Sequence, residues 1–513
     1  MCFRILADES LATVAVRCIS SMIIATQEPG NARVKKRRNG RGITVPGKVA
    51  LAAFVILCPI GLTVAQTKTS ANIDQFVISE MRARHIPGVA VAVLREGKIS
   101  ILKTYGFANL EHRVPVKPET IFQSGSMGKQ FTAAAVMILA QDGKLSLNDR
   151  ITEYIPDAPD SWKNMRIRHL LTHTSGLSDF PPEIDLRKDY TEEQLLDAFK
   201  KAPLSFQPGE GWEYSNAGYA TLGILIRRVS GKFYGEFLQD RIFRPLGMKT
   251  TRVISESDII PNRAAGYRVV NGEIKNQEWV SPSTNTTADG SLYFSILDLA
   301  KWDAALYRDT PLKQSTLAQI WEPVKLNSGA RKGYGFGWFT GTMHNRSVVF
   351  HGGAWQGFKS CIIRFPGDKL TIIVLANSWN TREFKLARGL AALYFSEFAV
   401  PSTASIEDKD PNATALMRKV LIQLAGNSID KALLAPAVPK QLPPVRVAEL
   451  ATLLNSLTLP IAIFHSEELV ERRDEGEMRV YRYLLNDIGK TLSVTLKLTK
   501  DNKIAAFELI EVK

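Results

Sequence analysis

The stretch FQSGSMGKQF, residues 122 to 131, sets Ser126 three residues ahead of Lys129, where a helical apolar pattern begins. On the first turn of a helix, side chains three apart are neighbours, so the lysine amine can take the proton of the serine hydroxyl and leave a nucleophile. The helix amino terminus favours the negative charge that develops at the attacked centre. The same serine has a plainer use as a helix N-cap, and spacing alone leaves both uses open. Ser100 and Lys103 repeat the pattern in a β-rich run. Residues three apart on a strand project to opposite faces, so that copy carries no chemistry.

Two further groups stand out. GEGWEYSNAGY places Tyr214 and Asn216 two residues apart, in a loop rich in Gly, Ser and Asn that leads into a helix. A buried tyrosine beside a turn asparagine is the plain alternative. VVFHGGAWQGF ends a β run with His351-Gly352-Gly353 and then Ala354, the chain's only His-x-Gly.

Ser-x-x-Lys, then Tyr-x-Asn, then a basic residue-x-Gly at a strand end, in this order, resembles the serine β-lactamase and penicillin-binding-protein family. Its class C β-lactamase, D-alanyl-D-alanine carboxypeptidase and esterase-like members are the nearest in kind. HLLTHTSGL, 169 to 177, and ADGSLYFSILDLAKW, 288 to 302, are similar to that group's stretches, and the likeness runs from about 75 to 398. It implies Ser126 as the acylated nucleophile and Lys129 as its base or proton-relay partner. Tyr214 would relay protons to the leaving group and activate the deacylating water. Asn216 would hold the substrate amide and orient Lys129. His351 and Gly353 of the third motif would orient the substrate, and the N–H groups of Ser126 and Ala354 would form an oxyanion hole, worth roughly 3 to 4 kcal/mol per donor. His173 and Thr174 would brace a loop.

The third motif departs from the family. Penicillin-recognising members usually carry Lys-Thr-Gly, whose lysine and hydroxyl bind a substrate carboxylate, and no Lys-Ser/Thr-Gly occurs in this chain. A histidine near its ordinary pKa of about 6.5 is mostly neutral at pH 7, and Gly352 has no hydroxyl. The expected function is therefore an exported serine hydrolase acting on an ester or amide, with weak class C-like β-lactamase activity at best. A D-alanyl-D-alanine carboxypeptidase or D-amino-acid peptidase acting on peptidoglycan is a second reading, and a non-catalytic penicillin-binding or sensor protein a third.

The elements that must position these residues follow from periodicity. A helix is expected over 70–84, then a hairpin turning at Glu96-Gly97-Lys98, then a helix from 126 to a stop at Asp142-Gly143. Helical and polar segments fill the chain to about 330. The β-rich runs YGFGWFTG, RSVVFHG, FKSCIIRFPGD and LTIIVLAN follow, then a helix over about 384–397. The fold expected is α+β, an antiparallel sheet flanked by helices with a large mainly helical insertion, of β-lactamase/transpeptidase-like type, plus a small carboxy-terminal α+β domain. Residues 66–399 form the hydrolase domain, 400–412 a linker and 413–513 the accessory domain, whose expected strands are MRVYRYLL, TLSVTLKLT and IAAFELIEV.

The chain has 513 residues, 45% apolar and 23% charged, which excludes whole-chain disorder. Of its net charge of +14, residues 1–65 carry +6, nine Lys/Arg against three Asp/Glu, and the remainder +8, 56 against 48. Charges are interleaved thereafter, so no nucleic-acid partner is expected. VALAAFVILCPIGLTVA, 49–65, follows Lys48 and ends in small residues, a secretory signal or an amino-terminal membrane anchor. This predicts a periplasmic or extracellular protein. Of the four cysteines only Cys361 lies beyond that segment, in a strand-like run, and reads as a core thiol. No metal or nucleotide cofactor is expected. The partners are small-molecule ester, amide or peptide substrates, with peptidoglycan one of them.

Overall fold

The computed structural model describes residues 60–398 and, beyond them, 406, 408–436, 438, 442–455, 457, 467–486 and 490–512. Most of the expected signal or anchor at 49–65, and most of the expected linker at 400–412, lie outside the described residues. Helix α1, Ile60–Ala83, begins ten residues earlier than the periodicity predicts. No helix among the described residues is long and apolar enough to cross a membrane.

Strands β1 (Gly88–Arg95) and β2 (Lys98–Asn109) form the predicted hairpin. Glu96 and Gly97 both take positive φ, 51° and 72°, the two-residue turn whose twist matches that of the flanking strands. With β3 (Val114–Pro115), β4 (Phe339–Met343), β5 (Arg346–Trp355), β6 (Phe358–Phe365) and β7 (Leu370–Ala376) they make one seven-stranded sheet in the order β4-β5-β6-β7-β1-β2-β3. The ladders are antiparallel, and the first and last parts of the hydrolase domain meet where β1 pairs with β7, Val91 opposite Val374. Both central strands are buried on both faces, which explains why they read as continuous Val/Ile/Leu/Ala runs without alternation.

The two faces carry different cores. On one, Val89, Val91, Ile363 and Ile372 pack with Ile73 and Val77 of α1 and with Phe384, Leu386 and Leu390 of α2 (Glu383–Ala391). On the other, Ala90, Ala92, Ile362 and Ile373 meet the helical insertion through Phe131, Trp302 and their neighbours. The insertion's central helix, Lys129–Gln141, is buried almost all round, including Lys129, Gln130 and Thr132. The sequence predicts one apolar side only. The difference is paid in hydrogen bonds: Trp302 Nε1 donates to Gln130 Oε1 at 2.7 Å and Thr132 Oγ1 to the Ala288 carbonyl at 2.6 Å.

The carboxy-terminal residues form a separate four-stranded antiparallel sheet with two helices and its own core, around Leu424, Leu450, Tyr481, Val494 and Leu509. The three predicted strands are present, and a fourth, Glu467–Glu475, precedes them. Its charged stretch EELVERRDE hides it from an apolar pattern, because Glu467 and Glu468 are buried against cations. Glu468 meets Arg84 and Lys385, and Glu467 meets Arg418. The first helix of this unit starts at Pro411, inside the expected linker, with Asp410 accepting from Ala413 N as its cap.

One buried pair ties sheet to insertion. Arg364 on β6 and Asp303 on the helix Ile296–Ala305 are both fully buried, with Arg364 Nε donating to Asp303 Oδ1 at 2.6 Å. Thr371 donates to the same oxygen, and the guanidinium lies over the rings of Tyr307 and Trp321. Removing one partner leaves a buried charge uncompensated. Asp303→Ala is expected to lower stability by about 3–5 kcal/mol, while pairing it with Arg364→Leu recovers part of that loss. Urea unfolding of the two variants checks both.

Candidate active site

Ser126 sits in a single turn of 3-10 helix, Gly125–Gly128, and the α-helix begins only at Lys129. The α-helix thus starts three residues later than expected. The change favours the pair, since residues i and i+3 eclipse in 3-10 geometry. Ser126 is not the N-cap. That position belongs to Gly128 for the α-helix and to Ser124 for the turn, and neither side chain caps. The turn presses on β5: a Cβ at Gly125, whose φ is +50°, would stand 2.4 Å from the Ala354 nitrogen, and one at Gly353 would stand 1.9 Å from the Ser124 carbonyl. Two glycines therefore let Ser126 and Ala354 reach one place.

Lys129 is 0% exposed. Its Nζ donates to Ser126 Oγ at 3.1 Å, to Asn216 Oδ1 at 2.5 Å and to the Asp289 carbonyl, and it lies 4.8 Å from the centre of the Tyr214 ring. Burial lowers its pKa to about 8, against the opposing pull of Asp289 and Asp179. Asn216 is the first residue of the helix Asn216–Ser230, capped by Ser215, which accepts from Gly218 N. Its Nδ2 donates to Asp179 Oδ2 at 3.2 Å, so the amide is held from both ends.

Tyr214 lies beside this pair. Burial raises its phenol well above the ordinary value, with Ser126 opposing the rise. Its Oη is closed off and has no partner at hydrogen-bonding geometry; the influence of Ser126 reflects proximity without alignment. His173 braces the loop as expected: its Nδ1 accepts from Ser215 N at 3.1 Å, its carbonyl from Glu213 N, and its ring lies 4.3 Å from that of Tyr214. Thr174 accepts from Gly209 N.

His351 is placed differently from the expectation. It shares a strand face with Gly353 but is packed beneath the site among Tyr214, Tyr334 and Phe339, where it is 0% exposed. Its Nδ1 faces its own neighbour's carbonyl, Gly352 O, at 2.6 Å, and its Nε2 faces the Tyr334 hydroxyl at 3.1 Å. The neutral ring fits both, Nδ1–H donating and Nε2 accepting. Burial and the Lys129 charge push its pKa down to about 3, far from the ordinary value the sequence assumes. Gly353 likewise lies under the Ser126 turn. Of the four predicted orienting residues, Asn216 and Ala354 border the cleft and His351 and Gly353 support it.

The cleft, of about 180 Å³, is bordered by Ser126, Asn216 and Ala354, and also by Asp179, Phe180, Leu186, Thr284, Asp289 and Trp355. Sequence reasoning assigns no role to Asp179, Asp289, Tyr334 or Trp355. Asp289 stands in the stretch ADGSLYFSILDLAKW, singled out only for its likeness. Tyr334 stands in YGFGWFTG, read as a strand, whereas β4 starts at Phe339 because Gly337 turns at φ +73°. Asp179 and Trp355 carry no local signal.

The family model described as Beta-lactamase matches residues 73–395. This chain belongs to that family of serine hydrolases. Penicillin-binding protein 4* of Bacillus subtilis (strain 168) is 30% identical over 363 residues, covering 67% of this chain and 80% of its own length. The D-aminopeptidase of Gluconobacter oxydans (strain 621H) is 28% identical over 317 residues, 60% of this chain and 58% of its own. Among solved structures, the D-amino acid amidase from Ochrobactrum anthropi SV3 complexed with L-phenylalanine amide has a TM-score of 0.54 at 28% identity, covering 61% of this chain and 91% of that one. The octameric penicillin-binding protein homologue from Pyrococcus abyssi has a TM-score of 0.60 at 22% identity, over 86% and 96%. That last likeness is one of fold, and it extends past the span of the family match.

Three imidazoles are held neutral by burial: His169 is pushed down to about 4, His351 to about 3 and His173 well below its ordinary value. The unfolded chain takes up these protons near pH 6.5 and the folded chain does not, so the stability they contribute is full above that pH and lost as pH falls. Between pH 7 and 5 each excluded imidazole costs about 2 kcal/mol. Urea titrations at the two pH values should show a smaller loss for His351→Gln than for the unaltered chain.

Proposed function

We propose that this chain cleaves an ester or amide through an acyl-enzyme on Ser126, with Lys129 as the base. The observation that carries the reading is the set of partners around the Lys129 amine. At pH 7 about one-tenth of an amine with a pKa near 8 is neutral. Two of its three partners, Asn216 Oδ1 and the Asp289 carbonyl, are acceptors only, so a neutral amine keeps donating to both. Its lone pair is left facing the Ser126 hydroxyl, which can donate.

In this reading the Ser126 proton passes to Lys129 as Oγ attacks the substrate carbonyl carbon, and the N–H groups of Ser126 and Ala354 hold the oxygen that gains charge. Tyr214 begins protonated, since burial keeps its phenol far from ionising, and so begins as the acid that protonates the leaving group. Acylation therefore leaves Tyr214 as a phenolate and Lys129 as an ammonium. In deacylation the Tyr214 phenolate takes a proton from the water whose oxygen bonds to the acyl carbon, and Lys129 returns its proton to Ser126 Oγ as the ester bond breaks, which resets both groups and releases the acid product and free Ser126.

The placement of His351 supports an ester or amide substrate over a β-lactam, because the strand that would offer a cation and a hydroxyl to a carboxylate offers neither. The amide side is supported by the similarity to a D-aminopeptidase and a D-amino acid amidase. Export is part of the proposal and rests on the charged, apolar and small-residue pattern of residues 35–65.

Ser126→Ala should lose fluorophosphonate labelling and at least about a thousandfold in turnover, while retaining the unfolding midpoint of the parent; full turnover by this variant would sink the mechanism. Because the neutral amine is the active form, kcat/KM for an uncharged ester should rise with pH and level off above about 8. A fluorescent penicillin applied beside the fluorophosphonate should label weakly; strong labelling of Ser126 by both would move the leading substrate to peptidoglycan.

A further inference from the structure

The residues bordering the cleft include two carboxylates, Asp179 and Asp289, and no Lys, Arg or His. Lys129 stands behind them with its three N–H groups committed. A cleft of this make-up repels a substrate anion and attracts a cation. We propose that it selects an acyl group carrying a free protonated amine, and that Asp179 is the specificity-determining residue that binds the ammonium. The proposal rests on the nucleophile reading above and narrows its substrates to aminoacyl amides and esters.

Asp179 suits the part by position and by what it lacks. Its side chain is exposed at the cleft, and no cationic side chain pairs with it among the described residues. Oδ1 accepts from Phe180 N at 2.8 Å and Oδ2 from Asn216 Nδ2 at 3.2 Å. Those two bonds aim the carboxylate and leave each oxygen a further lone pair. Asn216 and Ser126 share the Lys129 amine, and Asp179 is bonded to Asn216. An ammonium bound to Asp179 therefore lies near the nucleophile, where an amine close to the attacked carbonyl, such as an α-amino group, stands. Phe180, Leu186 and Trp355 supply apolar wall for the side chain of the same residue, and Trp355 is fixed by its Nε1 donating to Asn285 Oδ1 at 2.6 Å.

A second feature points to a cationic ligand. Asp289 borders the cleft, yet its Oδ1 is closed off from solvent with no hydrogen-bond partner. An unpaired buried acceptor is costly and burial raises the Asp289 pKa; a cation in the cleft, acting through its field, offsets that cost. The bland alternative is that Asp179 only clamps Asn216 and offsets the Lys129 charge. In that case its loss affects all substrates alike.

The test compares alanine p-nitroanilide, in both configurations, with its N-acetylated counterpart, using the full chain. The ratio of the two kcat/KM values cancels the titration of Lys129. At pH 7 the ratio should favour the free amine by about tenfold or more, the size of one hydrogen bond to a charged group, and it should fall as pH rises through the substrate amine's own pKa. Asp179→Asn should collapse the ratio mainly through KM, and Asp179→Glu should restore most of it. A ratio unchanged in Asp179→Asn, or an unaltered chain that prefers the acetylated substrate, overturns amine selection. The pH dependence, measured on the unaltered chain, decides the matter even if the variants fail to fold. Fluorophosphonate labelling separates the two levels: a labelled Ser126 with no preference for the amine defeats this proposal alone, and an unlabelled Ser126 defeats the reading beneath it.

Discussion

A lysine with no exposed surface is the constraint around which the insertion, the sheet and the loops are fitted. An isolated ammonium in a protein interior is prohibitively costly, and Lys129 is tolerable there because three acceptors and two tyrosine rings surround its nitrogen. They come from three stretches of chain. Ser126 comes from the turn, Asn216 from a helix start, the Asp289 carbonyl from a loop, and Tyr214 and Tyr219 from the two sides of Asn216. The same burial that makes the amine expensive is what brings its pKa down to about 8, within reach of a neutral form. Cost and function are one effect.

The aromatic cluster behind the lysine follows from the same requirement. His173, Tyr214, Tyr219, Tyr334 and His351 lie within ring-contact distance of one another. Burial depresses both histidines, and the charge of Lys129, beside which a protonated imidazole would be a second cation, adds to that depression. A neutral histidine at 351 fills the space and satisfies the Tyr334 hydroxyl at no electrostatic cost. A lysine there would face the same conflict unless it pointed into the cleft. The substitution at this position therefore changes the charge of the cleft and the packing behind it together.

Backbone proximity does the remaining positioning. The Ser126 turn and strand β5 approach so closely that side chains at Gly125 or Gly353 would collide with main-chain atoms. The approach is what sets the serine against Ala354 at the strand end. The carboxy-terminal sheet is held at a distance from this contact, by Glu468 meeting Arg84 just past α1 and Lys385 on α2, and by Glu467 meeting Arg418 on its own first helix. Its attachment is ionic and buried, and its packing is on the sheet face opposite the helical insertion.

Local chemistry and periodicity were sufficient for much of this protein. The hairpin at Glu96-Gly97, the strands of both sheets with apolar or alternating patterns, and the helix stop at Asp142-Gly143 are all written in neighbouring residues, because turn geometry and face alternation are local rules. The Ser126–Lys129 pair, Tyr214 and Asn216 were legible for the same reason: their spacing is short and their order along the chain is distinctive. What only the tertiary structure decided is that His351 is packed beneath the cleft, that Lys129 is buried, and that Asp179 and Asp289 border the cleft. Those outcomes depend on groups brought together from far apart in sequence. The charged strand Glu467–Glu475 was hidden for a related reason, since its glutamates are buried by partners that no local pattern reveals. Spacing identifies which residues can react, and the distant neighbours assembled by folding set their charge, exposure and direction.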